Sequence, residues 1–205
     1  MILADIGNTN AHICEDFKIE HMSIALFLDR YPQKRLYYIS VNKTLTQESL
    51  PDSWRDISGM IHIPGEYDGM GVDRRALCLS HQDGVFVDAG SAITVDRVVG
   101  GIYQGGFILP GITAYQKAYA SISDVLDCRI DKDIDIDKIP ISTASGISFA
   151  TIASIVTLIR EFSKGMDIYI TGGDGRVISQ KIDRAIYDES LLFKGIKKAI
   201  KNKEL

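Results

Sequence analysis

The opening of the chain sets short apolar blocks between turn-forming residues. Ile2 to Ala4 reads as a short buried strand, Asp5-Ile6-Gly7-Asn8-Thr9 as a turn, Ala11 to Phe17 as a second strand and Ile19 to Ile24 as a third, which predicts a meander. Ala25 to Tyr31 predicts a helix, Leu36 to Val41 a buried strand, and Asn42 the cap of a further short helix. Pro51 to Tyr67 reads mostly as connector. From Val85 the opening returns: Val85 to Val87 is an apolar strand, Asp88-Ala89-Gly90-Ser91-Ala92 a turn, and Ile93 to Val99 a strand with Asp96 inside it. This second meander ends in Gly105-Gly106-Phe107-Ile108-Leu109-Pro110-Gly111. Beyond it, Ile112, Tyr115, Tyr119, Ile122 and Leu126 fall at helical spacing, which predicts an amphipathic helix of about four turns. Ile152, Ile155, Ile159 and Phe162 predict another helix, and Met166 to Ile170 a buried strand emptying into Thr171-Gly172-Gly173-Asp174-Gly175. A helix-like stretch, a strand-like Leu191 to Phe193 and a Lys-rich terminus follow.

Asp-x-Gly-Asn-Thr at Asp5 and Asp-x-Gly-Ser-Ala at Asp88 make the most informative pattern. From average residue usage, one such turn is expected about 0.15 times in a chain of this length, and two drop the expectation to roughly a hundredth. Both lie between two strands, so the chain reads as an α/β protein of two related lobes, residues 1–80 and 81–205, with mixed sheets and flanking helices packed around a cleft.

Composition narrows the partners. Apolar residues make up 45% of the 205 and charged residues 24%, the balance of an ordinary globular protein. With 23 Lys plus Arg against 27 Asp plus Glu, the formal charge of −4 offers no long basic surface for nucleic acid. Cys14, Cys78 and Cys128 are odd in number and widely spaced, which fits small buried hydrophobes in a reducing compartment. The N-terminus has no basic leader, and the apolar run from Ala150 to Ile159 is broken by Thr and Ser and stopped by Arg160, so the expectation is a cytoplasmic chain without signal peptide or membrane span.

A glycine turn between two strands aims backbone N–H groups into open space, where a phosphate can sit. The acid at each strand end repels phosphate but can hold a cation or a metal-bound water that faces it. No Gly-x-x-x-x-Gly-Lys-[Ser/Thr] occurs, and Gly69-Met70-Gly71-Val72-Asp73-Arg74 lacks the third glycine of a dinucleotide fingerprint. Phosphate binding without an obligatory lysine points to the duplicated-hairpin ATPase architecture of actin, sugar kinases and heat-shock chaperones. Asp131, Asp133, Asp135 and Asp137 alternate like a calcium loop but lack its Gly and its closing Glu, so they read as connector. The four histidines share no zinc spacing.

Asp5-Ile6-Gly7-Asn8-Thr9, Gly71-Val72-Asp73-Arg74, Asp88-Ala89-Gly90-Ser91-Ala92-Ile93-Thr94-Val95-Asp96, Gly105 to Gly111 and Thr171-Gly172-Gly173, in that order, resemble type III pantothenate kinase. The resemblance implies ATP binding by Asp5, Gly7, Asn8, Thr9 and Ser91, with Gly172 and Gly173 beside the nucleoside. It implies Asp88 as ligand of a monovalent cation, K⁺ or NH4⁺, with Mg²⁺ accompanying ATP. Asp73 would be the catalytic base, and Tyr67, Gly71, Val72, Arg74 and Thr143 would meet pantothenate. It also implies a homodimer that pairs through the second lobe, where Tyr115, Tyr119 and Ile122 form one stripe. An ionised Asp suits transfer to an alcohol, since it can orient the hydroxyl and take its proton late, and an arginine suits the carboxylate of an acidic substrate. Two other readings stay open: a kinase for another small hydroxy acid, and a nucleotide-binding regulator without turnover, which would have no use for Asp73.

Overall fold

The fold was described from a computed structural model, which covers residues 1–16, 18–42, 44–45 and 49–203. Contacts divide the chain into two units. Unit 1 comprises Met1–Gln82, Gly100–Tyr103 and the segment from Glu189, and unit 2 comprises Asp83–Val99 and Gln104–Asp188.

In unit 1, β1 (Ile2–Ile6) pairs antiparallel with β2 (Asn10–Glu15), which pairs antiparallel with β3 (Lys18–Ser23). Helix α1 (Ile24–Arg30) follows, its N-terminus capped by the Ser23 hydroxyl accepting from the Leu26 amide. The chain then returns through β4 (Leu36–Ser40), parallel to β1, and β5 (Trp54–Asp56), parallel to β4. Phe27, Tyr31, Leu36, Tyr38 and Trp54 fill the core under this sheet, and the Trp54 indole donates to the Tyr31 carbonyl at 3.1 Å. Helix α2 (Val72–Leu79) is the next element, after an irregular stretch.

Unit 2 repeats the plan. The hairpin β6 (Gly84–Ala89) and β7 (Ala92–Val99) leads into β8 (Ile102–Pro110), and β9 (Ile168–Thr171) and β10 (Ala185–Tyr187) lie parallel on the other side of β6. Strand order is β3-β2-β1-β4-β5 in one sheet and β8-β7-β6-β9-β10 in the other, so the duplication legible in the two turns extends to whole five-stranded mixed sheets. Helices α3 (Ile112–Ile122), α4 (Thr143–Ser163) and α5 (Gly175–Ser179) belong to unit 2. By length and composition α4 could cross a membrane, yet Ile147, Ile152, Ile155, Val156 and Ile159 pack into the core of unit 2 together with Val85, Val87 and Ile170.

Several elements depart from the sequence reading. Helix α3 stops at Ile122 because Ser123 is extended; a 3-10 turn, Asp124–Leu126, replaces the fourth turn of the helix. Tyr115 and Tyr119 lean on the unit 2 core, whereas Ile122 is exposed. The strand expected at Leu191 to Phe193 is the start of α6 (Leu191–Lys203), because the apolar pattern continues at helical spacing through Ile196, Ala199 and Ile200, all buried. That helix packs against α2, where a Cβ at Gly195 would fall on the Ala76 carbonyl. The segment from Glu189, assigned from sequence to the second lobe, therefore groups with unit 1. The short helix expected after Asn42 falls largely on residues outside those described.

The acidic connector is a series of turns. Asp131 and Asp135 carboxylates accept from the amides of Asp133 and Asp137 at 3.0 Å, while Ile134 and Ile136 tuck against the core between exposed acids. Among the described residues no group of three or more metal-ligating side chains gathers. Cys14 and Cys78 are buried, and Cys128 is partly buried.

Candidate functional site

The two glycine turns are each closed by a glycine amide, the first turn being one residue longer than the second. Gly7 N–H donates to the Asn10 carbonyl and Gly90 N–H to the Ala92 carbonyl, each at 3.0 Å, which closes each hairpin and leaves the residues between to face outward. Asn8, Thr9 and Ser91 are exposed at the tips. The first turn is braced by a residue that sequence reasoning did not assign to the site. Buried Asn42 donates from Nδ2 to the Gly7 carbonyl at 3.2 Å, and its Oδ1 accepts from the Thr44 amide and hydroxyl at 2.9 and 2.6 Å. The only prior signal for it was an Asn at a strand end.

In the sheets, each turn acid has defined neighbours. Asp5 lies in register with His12 on one side and Ile39 on the other, whereas Asp88 lies in register with Thr94 and Thr171. Thr94 Oγ1 is buried and has no hydrogen-bond partner among the described residues. Behind Asp88 stands Gly172, at φ +90°, and a Cβ there would come within 2.6 Å of both the Asp88 carboxylate and the Ala89 carbonyl. Only glycine fits that combination of backbone and space. Asp174 N–H donates to the same Ala89 carbonyl at 3.0 Å, fastening the Gly172-Gly173-Asp174 turn to the end of β6. From the other side Gly111 N–H donates to the Ser91 carbonyl at 3.1 Å, and a Cβ on Gly111 would lie 2.5 Å from that oxygen. Asp88, Ser91, Gly172 and Gly173 thus gather at the carboxyl ends of β6 and β9 within unit 2. Thr143, also in unit 2, is exposed as the first residue of α4, after a capping box between Ser142 and Ser145.

Tyr67, Gly71, Val72, Asp73 and Arg74 gather at the amino end of α2 in unit 1. Gly71 is the N-cap, and a Cβ there would sit 2.5 Å from the Asp73 carboxylate. Asp73 Oδ1 accepts from the Arg74 amide at 2.8 Å, which anchors one oxygen and leaves Oδ2 for another proton donor. Arg74 is only 7% exposed; its guanidinium donates to the Tyr67 hydroxyl at 2.6 Å and to the Tyr103 hydroxyl at 3.4 Å, and lies 5.7 Å from the Tyr67 ring centroid. Tyr103 was not anticipated, because nothing local in the sequence links β8 to α2. Val72 is buried and serves as packing under this cluster.

Next to it, Arg75 pairs with Glu66 at 3.3 Å, and Glu66 also meets His62 at 2.9 Å and the Ile63 amide at 2.8 Å. Burial alone would raise the Glu66 carboxyl, but hydrogen bonds from His62 and Ile63, with the Arg75 charge, together hold it below the ordinary range. On β2, burial and the facing His21 imidazole lower the His12 pKa, against a smaller opposing pull from Glu189. His12 and His21 meet through their Nδ1 atoms, and His21 Nε2 reaches Glu189 at 2.6 Å.

Known proteins resemble this chain along its whole length. The profile of the family described as type III pantothenate kinase matches residues 56–164. A type III pantothenate kinase of Campylobacter hominis is 41% identical over 206 residues, spanning all of both chains, and one of Helicobacter pylori is 34% identical over 204 residues, covering 98% of this chain and 91% of its own. A crystal structure from Campylobacter jejuni, described as a conserved Baf family transcriptional activator, superposes with a TM-score of 0.89 at 37% identity, covering 98% of each chain. A 2-dehydro-3-deoxygalactonokinase protein from Sinorhizobium meliloti, at 10% identity and a TM-score of 0.58 over 99% of this chain and 96% of its own, shares the fold of the sugar-kinase class.

Proposed function

This chain belongs to the type III pantothenate kinase family, and from that premise we infer that it moves the γ-phosphoryl group of ATP onto the primary hydroxyl of pantothenate, giving 4'-phosphopantothenate in the first step of coenzyme A biosynthesis. The observation that carries this reading is identity of 41% to a type III pantothenate kinase along the full length of both chains.

In the reaction the pantothenate oxygen bonds to the γ-phosphorus as the bond from that phosphorus to the β,γ-bridging oxygen breaks, leaving ADP. Asp73 is proposed as the base. With Oδ1 held by the Arg74 amide, Oδ2 is the atom to receive the hydroxyl proton. Arg74, held by Tyr67 and Tyr103, would meet the pantothenate carboxylate, and a buried guanidinium strengthens such a pair. Gly7, Asn8, Thr9 and Ser91 would offer amides and hydroxyls to the phosphates, and Gly172 and Gly173 would border the nucleoside.

A monovalent cation, K⁺ or NH4⁺, is proposed at Asp88. The buried Thr94 Oγ1 beside it and Thr171 on its other flank supply the oxygen-rich surroundings that such an ion takes. The ion would offset the repulsion between this carboxylate and the phosphates. Mg²⁺ would arrive on the nucleotide, with Asp5 as the carboxylate at the first turn; it supplies neutralisation of phosphate charge.

A homodimer is proposed through unit 2, where Ile122, Val125, Ile139 and Ile141 are exposed, the last two at 89% and 97%. Apolar residues this bare on neighbouring segments suit a protein contact. Tyr119 packs on its own core and is a poorer probe than Ile141. The Ile141→Asp variant should scatter light as a folded monomer; a dimer of unchanged stability would exclude this face.

The deciding experiment is coupled ADP release with purified protein, ATP, Mg²⁺ and pantothenate, in K⁺, Na⁺ or Tris buffers, with other hydroxy acids as controls. Turnover only with pantothenate and K⁺ or NH4⁺ is expected. The Asp73→Asn variant should retain ATP binding and lose roughly 10²–10⁴ in kcat. ATP binding without turnover on any hydroxy acid would favour a regulator, the role named for the Campylobacter jejuni structure, although a formal charge of −4 gives DNA little to hold.

A further inference from the structure

The nucleoside turn has a partner that the reaction chemistry does not require. Asp174 follows Gly172-Gly173, its side chain is 15% exposed, and its carboxylate is paired with the ammonium of Lys132, which comes from the acidic connector. Three further bonds restrain the two segments. Asp174 N–H is held by the Ala89 carbonyl, Gly175 N–H by the Gly172 carbonyl at 3.0 Å, and Lys181 Nζ donates to the Ile134 carbonyl of the connector at 2.8 Å. The connector thus grips the turn with one lysine of its own and is itself gripped by a lysine that follows α5.

Charge makes the first of these contacts consequential. Asp174 brings a second carboxylate to the end of β6, where Asp88 already stands and where a nucleotide polyanion would be received. Without a cation, that carboxylate would oppose the nucleotide, and it is too enclosed for water to screen it fully.

We propose that Lys132 is a positioning residue for nucleotide binding: it neutralises Asp174 and holds the Gly172-Gly173 turn in the shape that takes the nucleoside. The proposal rests on the reading of that turn as the nucleoside site. Lys132 is itself 43% exposed at the side chain, so the connector can release the turn without unfolding the core of unit 2. It touches no reacting atom, and its effect belongs to affinity for ATP rather than to the chemical step.

The test uses the full chain and four variants, with ATP affinity read by calorimetry and steady-state constants read beside it. Lys132→Ala should raise Kd and KM for ATP about three- to ten-fold, leave KM for pantothenate and kcat at saturating ATP within two-fold, and lose part of the effect at high salt. Lys132→Arg should behave as the parent. Lys132→Ala combined with Asp174→Asn should recover most of the lost affinity, because no uncompensated carboxylate remains; a merely structural role would make the double variant worse. Unchanged ATP affinity in Lys132→Ala overturns the proposal, as does an equal loss for both substrates with a lowered melting temperature. The Gly172→Ala variant separates the two levels of the reading. If Gly172→Ala loses ATP while Lys132→Ala does not, the lysine inference fails alone. If Gly172→Ala binds ATP as the parent does, the assignment of the turn fails with it.

Discussion

The two hairpins share a strand order, a closing glycine hydrogen bond and an acid two residues before that glycine, yet they are held in different ways. In unit 2 the turn is walled by backbone: Gly111 and Gly172 stand where no side chain fits, and their neighbours are the Ser91 and Ala89 carbonyls and the Asp88 carboxylate. In unit 1 the close neighbour of Gly7 among the described residues is the Asn10 carbonyl, 3.2 Å from a Cβ placed there, and the brace is the Asn42 side chain. The acids differ as well, with two threonines flanking Asp88 and a histidine and an isoleucine flanking Asp5. One local pattern can be held by steric exclusion or by a polar strut, and the two make different demands on substitutions.

The sharpest test of this contrast is an alanine in each turn. Gly172→Ala combines an unfavourable positive φ with a Cβ 2.6 Å from two oxygens, so a loss of about 2–5 kcal/mol in stability is expected, with ATP affinity lost alongside. Gly7→Ala, facing the Asn10 carbonyl at 3.2 Å, should stay within about 1 kcal/mol of the parent. Thermal unfolding of the two variants under one buffer decides it, and equal losses would remove the distinction.

Next in size is the strut. Asn42→Ala removes the donor to Gly7 and the acceptor of Thr44, and should destabilise unit 1 by about 1–2 kcal/mol while raising KM for ATP more than KM for pantothenate. Denaturant unfolding with paired kinetics checks it; no change would mean that the turn holds itself.

The smallest expected effect concerns pH. His12 takes a proton less readily when folded than in the unfolded chain, whose value is about 6.5. Unfolding therefore takes up a proton at pH below that value, so this contribution to stability is present above pH 6.5 or so and is lost as pH falls through the folded pKa. His12→Thr copies the residue that unit 2 carries opposite its own acid. It should flatten the fall in stability below about pH 6.5. Parallel profiles for the variant and the parent would show that His12 does not titrate with unfolding.

The hairpins were legible in the sequence because each writes its whole geometry locally, as a strand, an Asp-x-Gly turn and a strand. Short elements were not. Strands β5 and β10 are three residues each, too short for alternation to register, and Leu191-Leu192-Phe193 imitates a strand until Ile196 and Ile200 are counted with it. The site divided in the same way. Asp73 and Arg74 could be proposed from sequence because they lie inside the Gly-x-Asp-Arg motif, whereas Tyr103 reaches Arg74 from 29 residues away and Asn42 reaches Gly7 from 35. Side chains that serve a turn from a distant strand leave no mark at the turn itself.

The packing of α6 on α2 also sets a schedule. The surface of α2 around Ala76 is completed only by a helix that the ribosome delivers after all of unit 2, so during synthesis the Asp73 and Arg74 segment waits with part of its apolar surface uncovered. A fragment ending near Gln82 would hold the first turn and the proposed base and still lack the helix that packs on α2. The unit that begins the chain is thus the one whose assembly finishes last.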